Sequence, residues 1–190
     1  MSILKTRLYK PPLSKKLIVR NRLIARLNEE IDRPLKLVIA GAGYGKSILI
    51  SQWLDSCGKR YSWISLESDC NDPQVFLEYL VAGIQQVFPE SMQLSKQLVK
   101  STQPLTEEVL TQTLTNELQE LSEPLILVFD DFHQISNNIM LGMFNQLIKF
   151  PPEGLQIAII SRMDPPLNKS RLLAYQQVSE IRMTDIRMSR

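Results

Sequence analysis

One segment limits the folds open to this chain more than any other: Ala40-Gly41-Ala42-Gly43-Tyr44-Gly45-Lys46-Ser47. An apolar run, Leu35-Lys36-Leu37-Val38-Ile39, leads into it, and a helical pattern, Ile48-Leu49-Ile50-Ser51-Gln52-Trp53-Leu54, leads out. A strand that turns through glycines into the first turn of a helix aims backbone N–H groups at one point, where they attract an anion. The closing Gly-Lys-Ser narrows that anion to phosphate. Lys46 supplies a point charge and Ser47 a hydroxyl for magnesium. The ligand class read here is ATP or ADP with Mg2+, cradled by Gly41, Ala42, Gly43, Tyr44, Gly45, Lys46, Ser47 and Ile48. Ala40 stands where the usual pattern has glycine. Alanine tolerates a negative φ, so Ala40 is expected to end the strand in ordinary β geometry.

The rest of the chain alternates helix and strand. Helical spacing marks residues 20–30, 46–57, 105–121, 138–150 and about 169–176. A further helix starts at Pro73, with Asp72 as its N-cap, and Pro89 ends it. Strands are read at 35–40, 61–66, 125–129, 156–161 and about 178–183. Residues 90–104 read as a polar, irregular loop with at most one helical turn, and residues 183–190 as a frayed end. Leu125-Ile126-Leu127-Val128-Phe129 is apolar throughout, as a parallel strand covered on both faces should be. Five strands alternating with helices predict an α/β fold: a three-layer αβα sandwich on a parallel sheet. The division expected is a basic N-terminal arm and helix at 1–34, packed on a single domain at 35–190.

Composition narrows the function classes. No stretch approaches the ~20 apolar residues of a membrane span, so no membrane role is expected. The first ten residues lack the apolar core of a secretory leader. Cys57 and Cys70 have neither metal nor disulfide spacing and suit a reducing, cytoplasmic setting. His133 is the single histidine, which excludes a multi-histidine metal centre. The net charge of +2 divides into +7 over residues 1–36, −8 over 37–161 and +3 over 162–190. The basic arm could meet DNA, nucleotide phosphates or acidic surface of its own domain. No zinc spacing, helix-turn-helix or aromatic interleaving favours the first.

Two further features carry chemistry. Asp130-Asp131 follows the apolar strand at 125–129. A carboxylate at that strand end can hold magnesium, which is assigned to Asp130 together with Ser47. Its neighbour Asp131 can orient an attacking water. Ser161-Arg162 ends the strand at 156–161. If that strand lies between the other two, Arg162 reaches an outer phosphate and can report its presence. A surface arginine after a strand remains the plainer reading. Lys46, Asp131 and Arg162 are thus the candidate catalytic residues. His133 is read as packing the start of the next helix, with hydrogen bonding near the acidic pair as the alternative.

Together these segments resemble the nucleotide-binding domain of STAND-class signal-transducing ATPases. More narrowly, they are similar to the large LuxR-type transcriptional activators of the MalT kind. The stretches that carry the resemblance are Val19-Arg20-Asn21-Arg22-Leu23, the phosphate loop, and Trp63-Ile64-Ser65-Leu66 with Asp69, Asn71 and Asp72. Leu127-Val128-Phe129-Asp130-Asp131-Phe132-His133 and Ile159-Ile160-Ser161-Arg162 complete it. The resemblance implies strand order 5-1-4-3-2, Arg162 as a sensor arginine, and Arg20 near the adenine and ribose. It also implies an ATP state that self-associates, an ADP state at rest, slow Mg-dependent hydrolysis, and partner regulatory domains downstream in the same chain. Contact with DNA would fall to a C-terminal domain outside this sequence. Two other functions are weighed against the switch. Phosphoryl transfer to a small molecule would need an acceptor lid and more arginines, and direct DNA contact would need the basic arm.

Overall fold

The computed structural model describes residues 3–14 and 18–187, and within them a five-stranded parallel sheet lies between helical layers. In chain order the elements begin α1 (Asn21–Glu29), β1 (Leu35–Ile39), α2 (Lys46–Cys57), β2 (Arg60–Ser65), α3 (Pro73–Gln85), α4 (Gln93–Lys100) and α5 (Glu107–Gln119). They continue β3 (Leu125–Asp130), α6 (Asn138–Lys149), β4 (Leu155–Ser161), α7 (Ser170–Ala174), β5 (Val178–Arg182) and α8 (Met183–Arg187). The sheet runs β2-β3-β4-β1-β5, the expected order read from the other edge, and every neighbouring pair is parallel. β4 therefore separates β1 from β3, with Val38 opposite Ile160 and Phe129 opposite Ile159.

Burial explains the sequence pattern. β1, β3 and β4 are buried along their whole length, which is why they read as continuous apolar runs rather than alternating ones. Alternate side chains feed two cores. On one face Leu37, Leu127, Phe129 and Ile159 meet α3, α5 and α6, where Phe76, Phe129, Phe132 and Phe144 form an aromatic group. On the other, Val38, Val128 and Ile160 meet α1 and α2 through Leu23, Leu27, Leu49 and Trp53.

Three local expectations are corrected. Residues 93–100, read as loop, form α4. Its N-terminus lacks a cap of its own because Glu117 of α5 provides one, accepting from Leu94 N (2.8 Å), Ser95 N (2.9 Å) and Ser95 Oγ (2.5 Å). The third helix stops at Gln85, before Pro89, since Val87 and Phe88 both turn back to bond the Ile84 carbonyl. Residues 183–187, read as fraying, form α8, with Ile186 buried beside Leu23 and Ile181; residues 188–190 lie outside the described part.

The basic arm turns inward. Arg7 is only 5% exposed. Its guanidinium grips both Asp69 oxygens (3.0 and 2.8 Å), donates to the Ser65 carbonyl and stacks 4.0 Å from the Tyr79 ring. Lys10 pairs with Asp55. Of the three destinations open to this arm, these two cations take the acidic surface of their own domain. Lys15 and Lys16 lie outside the described residues.

Candidate functional site

The C-terminal ends of β1, β3 and β4 converge on one place, and the candidate residues of all three motifs meet there. Ala40 N donates to Ser161 O (3.2 Å), extending the β1–β4 pairing by one residue beyond the strand. Ala40 has the negative φ expected of alanine in place of glycine, and it is also buried. The loop then turns through two left-handed residues, Gly43 (φ 77°) and Gly45 (φ 71°), a conformation that a side chain resists. Gly41 needs no such freedom; a Cβ there would sit 3.5 Å from the Tyr44 ring.

Lys46 opens α2 and is 7% exposed. Its Nζ folds back to donate to Gly41 O (2.9 Å), which holds the amine over the loop. Burial pulls the lysine below its ordinary pKa, against the attraction of Asp131 and Asp130. Ser47 Oγ donates to Asp130 Oδ1 (3.0 Å), so the hydroxyl and carboxylate assigned to magnesium are adjacent. Asp130 is almost fully buried at the end of β3, and burial raises its pKa, with the Ser47 hydrogen bond opposing. Among the described residues no group of three or more His, Cys, Asp or Glu is placed to hold a metal. A cation here would therefore draw its remaining ligands from phosphate and water, the ordinary arrangement for magnesium.

Asp131 adopts a left-handed conformation (φ 56°), and its carboxylate gathers two basic side chains. Arg162 Nε lies 3.7 Å from Asp131 Oδ1, and His133 Nδ1 lies 3.7 Å from the same oxygen. Arg162 is thus both half-exposed at the surface and within reach of the acidic pair. His133, read as helix packing, is also in this cluster. Its Nδ1 is buried without a hydrogen-bond partner, and burial lowers its pKa. Its place directly after Asp-Asp-Phe was the signal that could have promoted it.

Asn71 holds the loop that carries these groups. Its Oδ1 accepts from Ser136 N (2.7 Å) and Asn137 N (3.1 Å), and its Nδ2 donates to Gln134 O (2.6 Å). The Asp69, Asn71 and Asp72 group therefore divides three tasks: pairing with Arg7, bracing the loop after β3, and capping α3 through Gln74 N.

Arg20 completes the site from the other side. It precedes α1, and its Nη2 lies 3.4 Å from where a Cβ on Gly45 would stand, so its guanidinium lies against the phosphate loop itself. Its Nη1 is buried without a hydrogen-bond partner, and burial lowers its pKa. An orphaned guanidinium nitrogen and a lysine amine against the same glycine loop are suited to anionic oxygen. Ile48, in the first turn of α2, is half-buried beneath the loop, and Ala42 is exposed at its tip. Arg187, which no motif singled out, donates from Nη2 to Tyr44 Oη (2.6 Å).

Comparison with known proteins bears on the sequence and the fold as a whole. No family model matches the chain. The chain is 33% identical over 180 residues to the HTH-type transcriptional regulator MalT of Klebsiella pneumoniae subsp. pneumoniae, covering 94% of itself and 20% of that protein. It is 32% identical, with the same coverage, to the MalT of Serratia proteamaculans. The chain thus spans about a fifth of the length of the relatives it matches. Among solved structures, Cdc6p of Pyrobaculum aerophilum superposes with a TM-score of 0.58 at 14% identity, over 94% of this chain and 49% of that one; this likeness is one of fold. By fold the chain is a three-layer αβα P-loop domain, and by sequence it is similar along nearly all its length to a stretch of the MalT regulators one fifth as long as they are.

Proposed function

We propose that the chain is the ATP/ADP-binding switch of a signal-responsive, cytoplasmic transcriptional regulator. The observation that carries this reading is the meeting of Lys46, Asp131 and Arg162 at one strand edge, with Arg162 on Asp131. A third phosphate would offer Arg162 a stronger anion than Asp131, so the arginine distinguishes triphosphate from diphosphate. Gly41 to Ile48 hold the phosphates, and Arg20, which the resemblance sets near the adenine and ribose, is assigned to the phosphates instead because its guanidinium lies against Gly45. Ser47 and Asp130 hold magnesium, which when bound neutralises phosphate charge. Asp131, released by Arg162, accepts a hydrogen bond from the attacking water, and hydrolysis is slow, as befits a switch rather than a metabolic enzyme. The name of the relatives supports a regulatory rather than a metabolic output. Downstream regulatory domains then receive the signal, DNA is left to one of them, and the ATP state self-associates. The engagement of Arg7 and Lys10 by acidic residues speaks against the arm as a DNA contact.

Titration of fluorescent ATP and ADP analogues, with and without Mg2+, tests the reading. Both should bind, and the triphosphate should depend more on magnesium. Lys46→Ala should weaken both by tenfold or more, a rough figure for one charge-assisted phosphate contact. Arg162→Ala should weaken the triphosphate selectively. A wild-type chain that binds neither nucleotide overturns the proposal.

A further inference from the structure

We propose that Arg187 latches the segment leaving the sheet to the phosphate loop, so that the state of the loop is felt at α8; this rests on the nucleotide reading above. Tyr44 is the pivot. It lies between Gly43 and Gly45, the two left-handed residues, and its ring lies over Gly41. A rearrangement of the loop backbone therefore moves the ring. The hydroxyl of that ring accepts from Arg187 Nη2 at 2.6 Å, and the same guanidinium lies 5.5 Å from the ring centre.

The rest of α8 is held by other means, which gives the latch something to work against. Asp185 Oδ2 accepts from Arg182 N (2.8 Å), Asp185 O accepts from Arg22 Nη2 (2.7 Å), and Arg26 lies 3.5 Å from the Asp185 carboxylate. Ile186 is buried with Leu23, Ile24 and Leu27, in the cluster against which Tyr44 also packs. α8 is thus seated on α1, and Arg187 reaches from it to the loop. The chain enters α1 through Arg20, two residues before the Arg22 that bonds Asp185, and the Arg20 guanidinium lies against Gly45. Phosphate drawing on Arg20 and ordering the loop would act on α8 through both α1 and Tyr44. Because coupling is reciprocal, any force on the chain beyond Arg187 would act back on nucleotide affinity.

Hydrogen–deuterium exchange over residues 183–187 tests the latch, in wild type, Arg187→Ala and Tyr44→Phe, each alone and with ATP·Mg or ADP·Mg. In wild type, nucleotide should slow exchange there severalfold. In both variants, exchange without nucleotide should be about fivefold faster, the loss expected for one hydrogen bond, and should no longer respond to nucleotide. Peptides from β1 and α3 should exchange as in wild type, showing that the fold is intact. Equal exchange over 183–187 in wild type and Arg187→Ala without nucleotide overturns the latch, as does an equal nucleotide response in both. Binding is scored separately by fluorescence. A wild-type chain that binds no nucleotide overturns the parent reading and the coupling with it, whereas normal binding with unchanged exchange overturns the latch alone.

Discussion

Lys36 shows how one side chain can set a pH response far from any site. It is wholly buried in β1, where an apolar residue would be the ordinary choice. Its Nζ donates to the carbonyls of Ile31 (3.1 Å) and Arg33 (2.8 Å), and it lies 5.4 Å from the Trp53 ring centre. Burial, helped by Lys59 and opposed by Asp32, pushes its pKa down to about 8. In the unfolded chain a lysine keeps its usual value near 10.4. Between those values the unfolded state binds more protons, so stability should rise with pH from about 8 to about 10.5, and the cost is fully present below 8. The expected gain is about 3 kcal/mol across that window. Urea midpoints at pH 8 and pH 10 check it: wild type should gain more than Lys36→Met, in which this slope is removed. At the same scale, what could be read in advance followed a simple division. Gly43, Gly45, Lys46, Ser47 and Asp130 are legible because local backbone geometry and charge dictate them. Arg7, Arg187 and the role of His133 are not, because their partners stand far away in sequence or, for His133, depend on the left-handed turn at Asp131.

At the level of elements, the strands were plain because burial on both faces leaves continuous apolar runs. α4 was missed for a physical reason. A helix is read from its periodicity and its cap, and α4 has eight residues with no cap of its own. Met92 before it adopts φ 60°, and the acceptor for its first N–H groups comes from Glu117, more than twenty positions later. Glu117→Ala should therefore free α4 while leaving the sheet alone. The expected cost is about 2 kcal/mol, from unsatisfied N–H groups and a lost cap. Exchange over 93–100 should accelerate and that over β3 should not; parallel acceleration in both would mean that α4 is integral to the core. α3, whose cap Asp72 is written next to it, starts at Pro73 as expected, whereas α5 starts at Glu107 rather than Leu105 because Thr106 is its cap.

For the whole molecule, the governing fact is that β1 lies between β4 and β5, the two strands that come last in the sequence. The phosphate loop is made well before the strands that flank its own: nothing pairs with β1 until residue 155 and nothing covers its other edge until residue 178. At ordinary synthesis rates β1 waits on the order of ten seconds for a neighbour. During that time Leu35, Leu37, Val38 and Ile39 form an unpaired apolar segment, a candidate for association with other chains. A chain cut after residue 177 should keep four strands, expose one side of β1 and collect in the insoluble fraction, whereas the full chain stays in solution. Centrifugation of the two expressed in parallel decides the matter. A strand made before its neighbours is thus the last to be finished, and a cell carrying a partial copy carries a sticky one.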